Sequence, residues 1–379
     1  MGNRVPAAVV IVPCHNEAAY LPDLLAGLVT QLEGQAGWWA VLVEDSSTDA
    51  TATLLAQAAA DHPQLVRVHY GRFGSPGAAR SAGVAVAEAF ASDRGDLHTQ
   101  RYGPGAAGPP SWLIGIDADV LLGSDWVSSW AQALAAADPE QSIGALNGEE
   151  DQSHLLAPFP RAGQLSARFG AVAQRSEDRV GVTNLNGVNH AVRLGAYHAC
   201  GPYRQPTGVG PDGPVVLAGE DWDLGLRLRL AGYTIAPTTI TVADRGRRLL
   251  ADLAAYLGGT AYEGAFRRVQ ASGPAQDLDA EQLARFWPGA ARRAVLHFYA
   301  KPILALPGLL ESDVGLSGAT VAAMRAWMAR WPAPTFSESR NGFLYGRLPR
   351  FVDAFLAVIL DELDLHHRLA GPTSSHPQA

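Results

Sequence analysis

Asp117-Ala118-Asp119 places two carboxylates two residues apart at the end of an apolar run, WLIGI. At the period of a strand both project to one side, and paired carboxylate oxygens suit a hard cation, Mg2+ or Mn2+, of the kind that also holds phosphates. Asp-x-Asp pairs arise by chance in many chains, so the weight lies on the buried strand that precedes this one. Asp45 closes another apolar run, AVLVED, where a carboxylate can accept hydrogen bonds from a nucleobase or ribose. Capping of the following helix is the competing use. Glu220, Asp221 and Asp223 open a helical segment, GEDWDLGLRLRLAGY, as the helix dipole alone would favour. Gly103-Pro104-Gly105-Ala106-Ala107-Gly108 fits GxGxxG, the dinucleotide fingerprint. Its context fails: it follows polar LHTQRY rather than a buried strand and runs into Pro109-Pro110, which cannot open the required helix. Cys14 and Cys200 lack CxxC or Cys/His spacing and read as two buried thiols in a reducing compartment.

The elements that carry these acids alternate between two periods. VVIVP (Val9–Pro13) and AVLVED (Ala40–Asp45) are apolar, β-branched runs suited to strands buried on both faces, and VRVHY (Val66–Tyr70) and WLIGIDAD (Trp112–Asp119) follow them. Between them, Ala18–Leu32 carries Leu21, Leu24, Leu25 and Leu28 at helical spacing. SSTDATATLLAQAAA reads as a second helix with Ser47 or Thr48 near its N-cap, and Gly77–Ala91 as a third. Residues 92–110 read as a polar, Gly/Pro-rich loop. This βαβα alternation predicts an α/β protein with a doubly wound, mostly parallel sheet, whose ligands bind outside the carboxyl ends of the strands. Farther on, VTNLNGVNHAVRLGAYHACG reads as strands and a turn leading to a short helix, and Gly219–Tyr233 as a helix closed at Gly232. After about residue 248 helical periodicity runs to near residue 370, with breaks expected at Gly273–Pro274, Trp287–Pro288, Pro307–Gly308 and Pro332–Pro334. The expected organisation is a catalytic domain over 1–248, a helical C-terminal region over 249–370 and a disordered tail over 371–379.

Composition sets outer limits. The 379 residues are 47% hydrophobic, enough for a sizeable core, and 29 basic against 37 acidic residues give a net charge of −8. That balance excludes a partner role for nucleic acid held by phosphate neutralisation. No apolar run reaches the roughly 18 residues a bilayer crossing needs, and the N-terminal run leads into a motif rather than a cleavage site, so a soluble, cytoplasmic protein is expected. AVLHFYAKPILALPGLL from Ala294 and FVDAFLAVIL from Phe351 are the candidates for peripheral membrane contact. The late aromatics Phe286, Trp287, Trp327, Trp331, Phe336, Phe343 and Tyr345 read as helix packing in preference to an acceptor site.

Five blocks, VVIVPCHNEAAYLPDLLAGL, VLVEDSSTDATATLLAQ, GSPGAARSAGVAVA, WLIGIDADVLLGSDWV and GEDWDLGLRLRLAGY, resemble in order and spacing those of glycosyltransferase family 2, from residue 6 to about 248. The resemblance implies the GT-A fold and transfer of a sugar from a nucleotide-diphosphate donor to a hydroxyl acceptor, usually with inversion. The acceptor is left open between a small molecule, a glycan and a lipid carrier. It implies that Pro13, His15, Glu17 and Asp45 hold the nucleoside, that Arg80 lies near the nucleotide, and that Asp119 ligates Mg2+ or Mn2+ with Asp117 nearer the ribose. Asp221, beside Glu220, matches the general base, and the helix N-terminus is expected to favour its anion. Glu44 stands where the family usually has a first aspartate, and Ser81 where it usually has Asn. NGVNHAVR resembles the acceptor-side block, which puts His190 near the sugar or its acceptor, with a structural histidine as the competing reading, and Arg245, Arg247 and Arg248 stand in a basic segment that either meets a diphosphate or is a solvated surface. Gln205–Val216 reads as a lid before the base, and His366-His367, adjacent on a helix, as a poor chelating pair. A retaining GT-A transferase of the glucosyl- or mannosyl-phosphoglycerate type is the enzyme alternative, and an idle nucleotide-sugar-binding protein the non-catalytic one. A nucleotidylyltransferase is disfavoured, because the first strand lacks a Gly-rich basic loop.

Overall fold

A computed structural model describes residues 6–102, 110–137, 142–182, 184–204, 207–210, 213–216, 219–246, 249–250, 253, 276–330 and 339–363. In chain order these form β1 (Ala8–Cys14), α1 (Leu21–Glu33), β2 (Trp38–Asp45), α2 (Thr51–Asp61), β3 (Val66–Gly71), α3 (Pro76–Tyr102), β4 (Trp112–Ile116), β5 (Val120–Leu122), α4 (Trp126–Ala136) and β6 (Ile143–Asp151). There follow α5 (Ser153–Leu156), α6 (Pro160–Val180), β7 (Asn189–Arg193), α7 (Leu194–Cys200), β8 (Thr207–Gly210), β9 (Gly213–Val216), α8 (Glu220–Leu230) and β10 (Thr234–Asp244). The later segments are helical: Ala280–Val295, Leu296–Ala300, Lys301–Ala305, Pro307–Glu311, Gly318–Ala329 and Ser339–Glu362.

The chain divides into two compact units. The first comprises residues 1–152, 184–205 and 218–245. Its eight-stranded sheet has the order β3-β2-β1-β4-β7-β6-β10-β5. β1 pairs in parallel with both β2 and β4, β2 with β3, and β6 with β10, whereas β7 is antiparallel to β4 and β6, and β5 to β10. The α/β, mostly parallel sheet expected from the sequence is the one observed. The first three strands build outward from β1 on one side and β4 starts the other, so the strand order reverses between β1 and β4. The carboxyl ends of the strands at that switch form the crevice where ligands of open sheets bind. β1 and β2 are buried along nearly their whole length, as central parallel strands must be. Leu21, Leu24, Leu28 and Leu32 of α1 cover one face together with Trp126 and Trp130 of α4.

The second unit comprises residues 153–183, 206–217 and 246–379, so the segment holding α5 and α6 groups with the later helices rather than with the sheet. Its apolar cluster joins Leu156, Ala162, Leu165, Leu249, Leu253, Leu278, Trp287 and Ala290. Asp277 accepts from the first amides of α6, Arg161 and Ala162, and Ser317 caps the 318–329 helix. Trp327 packs edge-on against Phe351 and Phe355. β8 and β9 form an antiparallel hairpin.

Several local expectations are corrected. α3 runs to Tyr102, through most of the stretch expected as a loop; SDRGDLHTQRY has no apolar stripe to announce a helix. The fourth strand stops at Ile116, so Asp117–Asp119 form a turn into β5 and do not follow a strand pleat. Ser47 and Thr48 do not cap α2, whose N-cap residue is Ala50. Trp287–Pro288 is no break, since the 280–295 helix runs through Pro288. Gly273–Pro274, Pro332–Pro334, Trp331, Phe336, His366, His367 and the tail lie outside the described residues, as do the side chains of Phe343 and Tyr345 and the GxGxxG stretch. Among the described residues no helix is long and apolar enough to cross a membrane.

Candidate active site

The loops after β1 and β2 are zipped together by their own short polar side chains. Asn16 Oδ1 accepts from Thr48 N at 2.7 Å, Ser47 Oγ from Asn16 N at 3.0 Å, Thr51 Oγ1 from Glu17 N at 2.7 Å, and Asp49 from Ala18 N at 3.1 Å. Asn16 and Ser46 sit at φ of 57° and 55°, left-handed conformations that cost energy in any residue but glycine. His15 is exposed, with Nδ1 2.5 Å from the Asp45 carbonyl oxygen, while Glu17 is buried and Pro13 half-buried. The Asp45 carboxylate accepts from Phe73 N at 2.6 Å and Gly74 N at 2.9 Å, and Glu44 accepts from Ser46 N and Ser47 N. Both strand-two acids thus tie down neighbouring loops, which fixes the edge of the crevice.

Arg80, on α3, is 1% exposed and lies at the centre of the acids. Its Nη2 donates to Asp117 and to the Gly187 carbonyl at 2.8 Å, its Nη1 to the Ile116 carbonyl at 3.3 Å, and its Nε to Glu220 at 3.2 Å. Four of its five N–H groups are engaged inside the protein, so it stands behind the carboxylates it pairs with. Asp119 is buried at 8% exposure, and its carbonyl accepts from Arg245 N. The Arg245 side chain pairs with Asp23; Arg247 and Arg248 lie outside the described residues.

Asp221 is strongly perturbed. Glycines flank it: an added Cβ at Gly187 would lie 2.7 Å from Oδ2, and one at Gly219 2.3 Å from Oδ1. The Gly187 N–H donates to Oδ2 at 2.8 Å. Although part of its surface meets solvent, the carboxyl is set deeply among protein atoms. Burial, with the Glu220 charge beside it, raises its pKa from 3.8 to about 7. The helix N-terminus was expected to favour the anion; desolvation outweighs it.

His190 is not a ligand-facing residue. It is fully buried, with Nδ1 2.7 Å from the Asn186 carbonyl and Nε2 2.8 Å from the Tyr203 hydroxyl. Burial and the Arg80 charge lower its pKa to about 3, which keeps it neutral. Glu150 and Asp244 were not singled out from the sequence. Gln152 Nε2 donates to both, at 2.7 Å and 2.9 Å. Burial and the hydrogen bond with Asp244 raise the Glu150 pKa to about 8, with the charge of Asp117 adding to the effect. A pair of acids closing β6 and β10 was the available signal; only the sheet order makes them neighbours. Among the described residues no three of His, Cys, Asp or Glu form a ready-made metal centre. One or two carboxylates completed by substrate phosphates is nonetheless how Mg2+ is usually held, and the oxygen-only donors with excess negative charge around Asp117 fit that mode.

A sheet with acids gathered outside its strand ends at a reversal of strand order defines an α/β enzyme that works at that edge. The model of the family described as glycosyltransferase like family 2 matches residues 6–245, and the chain belongs to that family. Among solved structures, a mannosyltransferase from Pyrobaculum calidifontis in complex with GDP-Man and Mn2+ is 16% identical over 93% of this chain and 88% of that one, with a TM-score of 0.42. Glucosyl-3-phosphoglycerate synthase from Mycobacterium tuberculosis, solved with Mn2+, UDP and glucosyl-3-phosphoglycerate, is 14% identical over 64% and 74%, with a TM-score of 0.39. Likenesses of this degree say nothing of this chain's own donor or acceptor. No curated protein matches.

Proposed function

We propose that this family 2 glycosyltransferase inverts the anomeric centre, with Asp221 as its general base. The observation that carries the reading is Asp221 itself: a deeply set carboxyl that accepts from the Gly187 backbone N–H, with a pKa raised to about 7. A base poised near the working pH is what removal of a hydroxyl proton requires. The acceptor oxygen attacks the anomeric carbon as the bond to the diphosphate oxygen breaks. The electron pair leaves with the nucleoside diphosphate, the hydroxyl proton passes to a carboxylate oxygen of Asp221, and solvent later takes it. One displacement opposite the leaving group gives inversion.

Asp117 and Asp119 would hold Mg2+ or Mn2+, which when bound stabilises the charge developing on the leaving diphosphate. The zipped loops carrying His15 and Asn16, with the segment fixed by Asp45, form the nucleoside side of the crevice. The test is a panel of nucleotide-diphosphate sugars offered with candidate hydroxyl acceptors, the anomer of any product being read by NMR. Inverted product from the wild type and none from Asp221→Asn supports the reading. Retained configuration, or full activity in Asp221→Asn, overturns it.

A further inference from the structure

Arg80 and Glu220 face each other below the crevice, and neither has a role in the displacement written above. We propose that both are positioning residues. The buried guanidinium pins Asp117, the Gly187 peptide and the first turn of α8 into one geometry, and Glu220 is its counter-ion rather than a proton donor or acceptor in the transfer. The inference rests on the proposed roles of Asp117 and Asp221.

The bonds trace a path between the two sides of the reaction. Asp117 is held by Arg80, Arg80 also donates to the Gly187 carbonyl, and the N–H of the same glycine donates to Asp221. A second arm runs from Arg80 Nε to Glu220, the residue before Asp221. The guanidinium is thus shared by the end of β4, the loop before β7 and the start of α8. A planar fork with five donors can make such a junction; a lysine ammonium has three donors at one point and cannot reproduce it.

The surroundings are shaped to keep the junction in place. A Cβ at Gly115 on β4 would lie 3.0 Å from Arg80 Nη1 and 2.4 Å from the His190 ring, so a bare backbone lets both side chains lie flat against the strand. His190 is kept neutral there and is backed by the Tyr203 hydroxyl, so its imidazole does not compete as a cation for Asp117 or Glu220. Glu220, 7% exposed, offsets a charge that could not otherwise be buried.

The experiment uses the full chain with Mn2+ alone as probe. Binding is read by electron paramagnetic resonance of free Mn2+. The titration of Asp221 is read by carbon-13 NMR of labelled aspartate carboxyls, assigned with Asp221→Asn. The charged or titratable groups acting on Asp221 are Glu220, Arg80 and Asp117, with Tyr203 alongside. Glu220→Gln keeps the shape and is expected to fold. It should weaken Mn2+ binding several-fold although Glu220 is no ligand, because Arg80 then pulls harder on Asp117. It should also lower the Asp221 midpoint. Arg80→Lys keeps the charge but loses the fork, and both readouts should depart from the wild type. Arg80→Lys behaving like the wild type, or Glu220→Gln moving neither readout, overturns the proposal; if Arg80→Lys does not fold, Glu220→Gln decides alone. Asp119→Ala tests the underlying reading separately. A wild type that binds no Mn2+ sinks the cation site, and the Asp221 midpoint in Glu220→Gln then decides the positioning role by itself.

Discussion

Replacing Asp221 with Asn should remove activity and make the protein more stable at alkaline pH. Burial and Glu220 raise the Asp221 pKa from 3.8 to about 7, so the folded chain keeps a proton that the unfolded chain releases. Between those two values the native state binds more protons than the unfolded state, and stability falls as pH rises, by about 1.4 kcal/mol per pH unit. Above the folded pKa the loss is complete and the curve levels. The full shift of roughly three units corresponds to a ceiling on the order of 4 kcal/mol, which partial solvent contact reduces. Asn cannot ionise, yet its carbonyl oxygen can still accept from Gly187 N. The advantage of the variant should therefore grow by about 1–3 kcal/mol between pH 5 and pH 8. Urea unfolding of both proteins at the two pH values, with chelator present, measures it. An advantage that is constant across pH, or a wild type that gains on the variant toward pH 8, would refute the burial argument.

Other sites give independent checks. Glu150, raised to about 8, makes stability fall as pH rises from the ordinary carboxyl range to that value; Glu150→Gln should flatten this part of the curve, seen by urea unfolding at pH 6 and 9 in chelator. Gly187→Ala puts a Cβ 2.7 Å from Asp221 Oδ2, and the rate of transfer should fall about tenfold or more while the circular dichroism spectrum is unchanged. Asn189 accepts from the indole N–H groups of Trp126 and Trp130, both at 3.2 Å, and donates to the carbonyls of Glu149 and Ile240. Asn189→Leu leaves these buried groups unpaired, and denaturant unfolding should show a loss of about 3 kcal/mol or more.

What could be read from the chain was what local pattern determines. β1, β2 and the start of β4 announce themselves as unbroken apolar runs, and the acids at their ends follow from the same reading. β6 is disguised by its glycines, which are there for close approach: a Cβ at Gly144 would meet the Tyr233 side chain at 2.7–3.0 Å, and one at Gly148 the Asn189 amide at 2.3 Å. β10 contains Pro237, and its pairing with β6 shifts register between Pro237 and Thr241, so its sequence does not look like an inner strand. The network of Arg80 joins residues 37, 107 and 140 positions away, which no local pattern encodes. The Asp221 pKa departs from the sequence expectation because the helix N-terminus is visible in sequence and the burial of the carboxyl is not.

Donor binding at the crevice is proposed to depend on Asp119. It is tested most directly by thermal unfolding with Mn2+ plus UDP, GDP, dTDP, ADP or CMP in turn, against Mn2+ alone, for the wild type and Asp119→Ala. A ligand at 100 times its Kd adds about 2.7 kcal/mol, visible as a shift of several degrees. At least one nucleoside diphosphate should raise the melting temperature of the wild type and leave Asp119→Ala unmoved. No shift with any nucleotide, or an equal shift in both proteins, would contradict it.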